Sequence, residues 1–312
     1  MLGYCWVLLS SVFFCIQNVV VRVLFSAHPL LGFGVVGGYL APTLQNSFLL
    51  LLLRMVLAVP LMAMVSGVLY PQTWQAIAQL HRPHQRRALL HAIAGGILMF
   101  LYLALLYVAI GLIATGVALT LFFTFPVFTA LFSWGLLGQR PSPYRWGVMA
   151  LVLVGSGLTV PQAQFSLADG NLWGVLLGVG SGVAYALYTV NAQKSFDHIH
   201  PVPFTGLSFT ITLGLSVVAV VVWPRSPEAL DWGPIWIGSL LSGIVTFAGH
   251  LLYNSGIRVI GATAASMIGS ANPALTVVLA WATIQEVLTA IQVLGVAIVT
   301  GSVASLSREH KS

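Results

Sequence analysis

Charge is nearly absent from this sequence: Asp, Glu, Lys and Arg together make up 6% of its 312 residues. A water-soluble globule of that length cannot cover its surface with so few ionic groups, so lipid is the implied solvent. Acids are the scarcer sign, six against twelve bases. They stand scattered at Asp169, Asp197, Glu228, Asp231, Glu286 and Glu309, which disfavours an enzyme built on paired carboxylates. His81/His84 and His198/His200 are paired but sit in polar loops without an acidic cluster, so no metal, cofactor or catalytic residue is expected. Only two cysteines occur, Cys5 and Cys15, both in the first apolar run. There they serve as small hydrophobes and not as a disulfide framework. No basic region precedes that run and no small-residue cleavage site follows it, which predicts a retained helix. The segment Gly32-Phe-Gly-Val-Val-Gly37 is a lone GxGxxG with no preceding strand and no later ribose-binding acid, too little for a dinucleotide site.

What is abundant is apolar length. Hydrophobic residues make up 58% of the chain, and the mean hydropathy is +0.97. Runs of about 17 to 25 apolar residues recur, and a bilayer core of about 30 Å takes roughly 20 helical residues to cross. Stretches such as Phe48 to Leu53 and Ala150 to Val154 do not alternate, which excludes a β-barrel. The expected fold is all-α and integral to the membrane, with ten transmembrane helices. In the first half they run over Gly3 to Leu24, Phe48 to Leu69, Leu89 to Ile110, Ala114 to Leu137 and Tyr144 to Val160. In the second half they run over Leu172 to Gln193, Phe204 to Trp223, Pro234 to Gly256, Ala262 to Ile284 and Ala290 to Leu306. Ser26 to Ser47 reads as a long Gly/Pro-rich connection and Tyr70 to Ala88 as a basic one.

The stretch from Gly95 to Trp146 occurs twice, the second copy 147 residues later. Without a gap, Gly96 pairs with Gly243, Phe100 with Phe247, Ile113 with Ile260, Pro126 with Pro273 and Trp134 with Trp281. A long repeat is a statement about fold: residues 1–160 and 161–312 are two related five-helix units. Five spans per unit is odd, so the copies enter the membrane from opposite sides. Charge agrees. With the N-terminus cytoplasmic, Arg82, Arg86, Arg87, Arg140, Arg145, Lys194, Arg258, Arg308 and Lys311 fall inside and only Arg22 and Arg225 outside, while Arg54 lies within the second span, where it stays charged and cannot cycle a proton. Arg140 and Arg145 correspond to Val287 and Gln292, while Gly111 corresponds to Arg258, so the bases have changed ends as inversion requires. The net charge of +6 therefore reflects orientation in a plasma (inner) membrane with both termini cytoplasmic, and no nucleic-acid partner is implied.

Certain motifs go further. Ala-Ile-Gly-Leu-Ile-Ala-Thr-Gly at 109 to 116, Phe125-Pro126 and Leu-Gly-Gln-Arg at 137 to 140 have second-half equivalents in Gly-Ala-Thr-Ala-Ala at 261 to 265, Asn272-Pro273 and Gln285-Glu286. Here the sequence resembles the EamA-type ten-span members of the drug/metabolite transporter superfamily. In that pattern the fourth and ninth spans end in an acidic pair; Glu286 fits, while Gln139 departs from it. The resemblance implies a transporter whose inverted halves enclose a central cavity open to each side in turn. Its partners would be membrane lipid and a small-molecule substrate; a monomer suffices for this scheme and a homodimer is compatible with it.

Charged groups at mid-span cost about 2.5–3.5 kcal/mol on insertion scales, and polar ones are rare enough here to be informative. Gln17 and Asn18 lie in the first span, Tyr102 in the third, and Tyr185, Tyr188 and Asn191 along one side of the sixth. Thr246, His250 and Asn254 form a stripe in the eighth at four-residue spacing. Each could simply bond a neighbouring helix, but three on one face suggest the lining of a substrate site. Pro126 and Pro273 are expected to kink their helices and to serve as hinges. Gly174, Gly178 and Gly182 allow close helix contact. No acid lies within the centre of a span, so neither a counter-ion for an organic cation nor a carboxyl proton site is present. A neutral or zwitterionic metabolite is expected, an amino acid or analogue first. Exchange is favoured; the alternative is proton-linked efflux through His250, whose ordinary pKa lies near neutrality. A channel is a further rival, which the inverted repeat disfavours.

Overall fold

In lipid every backbone N–H and C=O must find its partner within the segment, so long apolar runs become helices. The computed structural model describes residues 2–29, 34–82, 85–113, 115–159, 172–223, 230–285 and 287–309. Its helices are α1 (Leu2–Phe25), α2 (Leu44–Leu69), α3 (Thr73–Gln79), α4 (Arg86–Leu112), α5 (Thr115–Phe122), α6 (Phe125–Leu137), α7 (Pro143–Thr159), α8 (Leu172–Ser195), α9 (Pro201–Val222), α10 (Trp232–Gly269), α11 (Asn272–Ile284) and α12 (Ala290–Glu309). Among the described residues, seven segments are long and apolar enough to cross a bilayer. The protein is an all-α, multi-pass membrane protein. The expected boundary between halves at 160/161, with Asp169, lies outside the described residues, as do Gly32 and Phe33 of the glycine-rich match, Glu228 and Glu286.

Local chemistry moves one expected boundary and structures one connection. Thr43 takes an extended conformation and its Oγ1 accepts the Asn46 N–H at 3.3 Å, so α2 begins at Leu44, a full turn before Phe48. The connection after α1 is not featureless: β1 (Ala27–Pro29) pairs antiparallel with β2 (Val35–Gly37). Gly37 has φ +111, and a Cβ there would meet the carbonyls of Val23 and Ser26. Only glycine fits so close to the end of α1.

The breaks in the helices recur at the repeat distance. α4 stops before α5 at Ile113, and α10 is interrupted at Gly261 (φ 80, ψ 163). Thr124 (φ −74, ψ −6) precedes α6, and Ala271 (φ −74, ψ −9) precedes α11. Both short helices end in the left-handed region, at Gly138 (φ 69) and Gln285 (φ 55). Pro126 and Pro273 thus stand in the first turns of new helices instead of bending continuous ones. Proline lacks the donor that a helix interior needs, but a first turn has no use for it.

α1 packs along α10 and α4 along α8, while α2 lies on α9 and α7 on α12. Glycine sets these approaches. A Cβ on Gly249 would stand 2.8 Å from Phe14 Cε1, and one on Gly182 2.8 Å from the Phe122 carbonyl oxygen. The largest apolar cluster joins Phe48, Met99, Tyr102, Tyr185, Tyr188, Phe204, Phe209 and Tyr253, so the core is aromatic where five helices converge.

Candidate functional site

Helical spacing brings polar groups to this aromatic core. Tyr185 and Tyr188 are one turn apart on α8, and Thr246, His250 and Asn254 are successive turns of α10. Asn254 Nδ2 donates to Tyr188 Oη at 3.0 Å and to Thr205 Oγ1 of α9 at 2.8 Å, and the Tyr188 hydroxyl donates to Asn254 Oδ1 at 3.2 Å. Thr205 in turn donates to the Pro201 carbonyl at 2.7 Å. One turn along α10, His250 Nδ1 donates to the Thr246 carbonyl at 3.1 Å. That bond sets the proton on Nδ1 and leaves Nε2 as the acceptor. Nε2 is buried with no hydrogen-bond partner among the described residues. A further turn away, Thr246 Oγ1 donates to Gln17 Oε1 of α1 at 2.6 Å.

Rings enclose these groups. Phe14 and Phe209 stand edge-on to His250, centroids 4.8 and 5.5 Å away. Tyr185 is surrounded by Tyr102 at 4.8 Å, Phe125 at 4.7 Å, and Tyr188 and Tyr253 at 6.1 Å. Such pairs contribute about 0.5–1.5 kcal/mol each beyond area burial. The Tyr253 hydroxyl lies beside Tyr185 and Thr189 without a hydrogen bond of ordinary geometry to either. What results is a desolvated, closely packed box of aromatic rings with a few directed polar groups. No group of three or more His, Cys, Asp or Glu that could hold a metal occurs among the described residues.

Residues 172–308 match the model of the EamA-like transporter family. Over 312 residues the chain is 51% identical to the uncharacterized transporter sll1319 of Synechocystis sp., covering 100% of this chain and 95% of that one. The chain belongs to the EamA-like transporter family. It is also 28% identical over 216 residues to the threonine/homoserine exporter RhtA of Escherichia coli, 66% of this chain and 68% of RhtA. A crystal structure of a protein 16% identical shares the fold, with a TM-score of 0.73 over 100% of this chain and 98% of that one. The family and the relatives' names are those of transporters, and the resemblance read from the 109–140 and 261–286 motifs is confirmed at the family level.

Within this EamA-like protein the expected site residues divide. Tyr102, Tyr185, Tyr188 and Asn254 join the aromatic box, His250 lies one turn further along α10, and Thr246 with its partner Gln17 one turn beyond that. Asn18 and Asn191 turn elsewhere. Asn18 Nδ2 reaches Thr276 Oγ1 of α11 at 3.2 Å. Asn191 bonds His91 of α4 twice, to Nδ1 at 2.7 Å and to the carbonyl oxygen at 2.8 Å. Sequence reasoning did not single out Thr205, Phe14 and Phe209. A Thr four residues after Pro201 in an apolar helix was the available signal for the first; the two phenylalanines had none, because apolar residues fill every span.

Proposed function

We propose that this chain is a secondary carrier that exports or exchanges a small neutral or zwitterionic metabolite, an amino acid or analogue, by alternating access around the aromatic box. The observation that carries the reading is the convergence there of α1 and α4 with α8, α9 and α10. Two inverted five-helix repeats, residues 1–160 and 161–312, forming ten spans, are supported by the breaks at Ile113 and Gly261 and by the equivalent turns at Thr124 and Ala271. The packing supports them too: exchanging the halves turns the α1/α10 pair into the α8/α4 pair. A carrier with its binding groups where such repeats meet can expose them to either side by rocking one half against the other. The basic loops argue for a plasma (inner) membrane with both termini cytoplasmic. A monomer suffices for this scheme, and a homodimer is compatible with it.

RhtA's name makes threonine and homoserine the first solutes to try. In proteoliposomes, saturable counterflow of one labelled amino acid driven by an excess of the same or another is the expected result. Linear, non-saturating flux without counterflow would instead mark a channel. A second reading, proton-linked efflux, has one observation in its favour, the buried and unpartnered Nε2 of His250. An imposed pH gradient separates the two: exchange ignores it, whereas proton-linked transport follows it and loses that response in His250→Gln. Gradient-driven accumulation that persists in the Gln variant would count against both.

A further inference from the structure

Arg54 stands ten residues beyond Leu44, the first residue of α2. At 1.5 Å per residue that is about 15 Å along the axis, mid-way through a bilayer core of about 30 Å. Only 3% of the residue is exposed, so it does not reach for a membrane surface as basic side chains near helix ends do. Its Nε is buried without a hydrogen-bond partner, and the guanidinium makes no ion pair among the described residues. The acids whose side chains are described, Asp197 and Asp231, stand in connections, and Asp231 is engaged by the Gly233 N–H at the head of α10.

Buried charges in proteins are ordinarily paired, because desolvation without a partner is so unfavourable. This one is held unpaired beside the candidate site. The Arg54 carbonyl lies 3.3 Å from where a Cβ on Gly243 of α10 would stand. Its charge is within electrostatic reach of Tyr102 and His250, the groups that border the aromatic box. A fixed guanidinium with forked donors is matched to a carboxylate. Among the described residues no acid is at hand for an ammonium group, but the faces of Tyr102, Tyr185, Tyr188 and Tyr253 are, and π faces attract cations.

We propose that Arg54 is the carboxylate-recognition residue of this transporter: a zwitterionic substrate pairs its carboxylate with the Arg54 guanidinium and rests its ammonium group on the tyrosine faces. The assignment rests on the carrier reading above. It has a consequence that a structural arginine would not share. In the empty protein the unpaired charge opposes folding, so Arg54→Met raises the melting temperature while abolishing recognition of the carboxylate.

The test uses purified full-length protein and its proteoliposomes. The probes are L-threonine and L-homoserine, then the remaining common L-amino acids, each beside its carboxamide, with threoninol as the alcohol lacking the carboxylate. In the parent, at least one amino acid should raise the melting temperature while its amide does not. Arg54→Lys, which keeps the charge but loses the fork, should bind at least tenfold more weakly. Arg54→Met should show no shift and a higher melting temperature when empty. The proposal is overturned by equal stabilisation from acid and amide, by no stabilisation from any amino acid, by binding that persists in Arg54→Met, or by a lower melting temperature in that variant. Carboxylate-selective binding that depends on Arg54 but comes without counterflow would remove the carrier reading and leave the Arg54 assignment standing.

Discussion

At the scale of single residues, His200 shows an imidazole working as a cap. Its Nδ1 accepts the Val202 N–H at 3.3 Å at the start of α9, and its ring stacks on Tyr70 with centroids 4.2 Å apart. Burial first, and the Arg258 charge second, lower its pKa. The unfolded ring therefore takes up a proton before the folded one does, and stability rises with pH across the interval between the two values. Below about pH 6.5 the protein should lose thermal stability, because the unfolded ring binds a proton that the folded, capping ring does not. His200→Asn, which retains a capping acceptor, should flatten that slope in a melting series from pH 5 to 8. The Tyr188, Asn254 and Thr205 network is a different case, since its groups lie wholly inside the protein. Interhelical hydrogen bonds in membranes average about 0.6 and reach about 1.7 kcal/mol. A double-mutant cycle on Tyr188→Phe and Asn254→Ala should return a coupling in that range. Thr205→Val should cost less than Asn254→Ala if the Asn254 bond to Tyr188 dominates. Transport should weaken in the Tyr188 and Asn254 variants while membrane abundance is kept; full activity in both would remove them from the site.

At the scale of elements, glycine decides how near two helices come. Gly→Ala inside a helix ordinarily gains roughly 0.5–1 kcal/mol. At Gly182 that gain meets the Phe122 carbonyl oxygen 2.8 Å away, a backbone atom that cannot swing aside. Overpacking costs typically about 1–3 kcal/mol and wins. Gly182→Ala should lower the melting temperature in detergent, while Gly157→Ala, with nothing among the described residues within 4 Å of the added carbon, should leave it unchanged or raise it. Equal behaviour of the two would mean that the α8 contact with the turn before α6 is looser than its geometry. The same turn explains why Pro126 heads α6: the ring stops α5 from continuing, and a helix start is where proline fits.

At the scale of the whole molecule, orientation is the property most open to test. Single cysteines in a background lacking Cys5 and Cys15 report it by labelling from each side. Gly37 would be a poor outer probe, because its positive φ and the carbonyls of Val23 and Ser26 leave no room for a side chain. Val35 on the same hairpin is 73% exposed and serves instead. Val35→Cys should label from outside and Ser142→Cys from inside. Reaction of both from one side would end the ten-span reading, since the proposed path between them crosses the membrane three times.

Composition and hydropathy by themselves determined that this is an all-α membrane protein, because a lipid solvent offers the backbone no partner and leaves only helices for such runs. The proline and tryptophan pairs at one offset, with the motifs of residues 109–140, carried the family as well. Those signals are local, and local signals survive in one dimension. The tertiary structure decided which polar groups share a space. Gln17 and Asn18 are adjacent in sequence, yet 100° of helix rotation sends one to Thr246 and the other to Thr276. Asn191 continues the stripe of Tyr185 and Tyr188, yet it is one turn too far along α8 and meets His91. Arg54 reads in the sequence as a charge that cannot cycle a proton. Only the packing of α2 against α10 makes it a buried charge without an acid among the described residues, because pairing depends on neighbours that the order of residues does not specify.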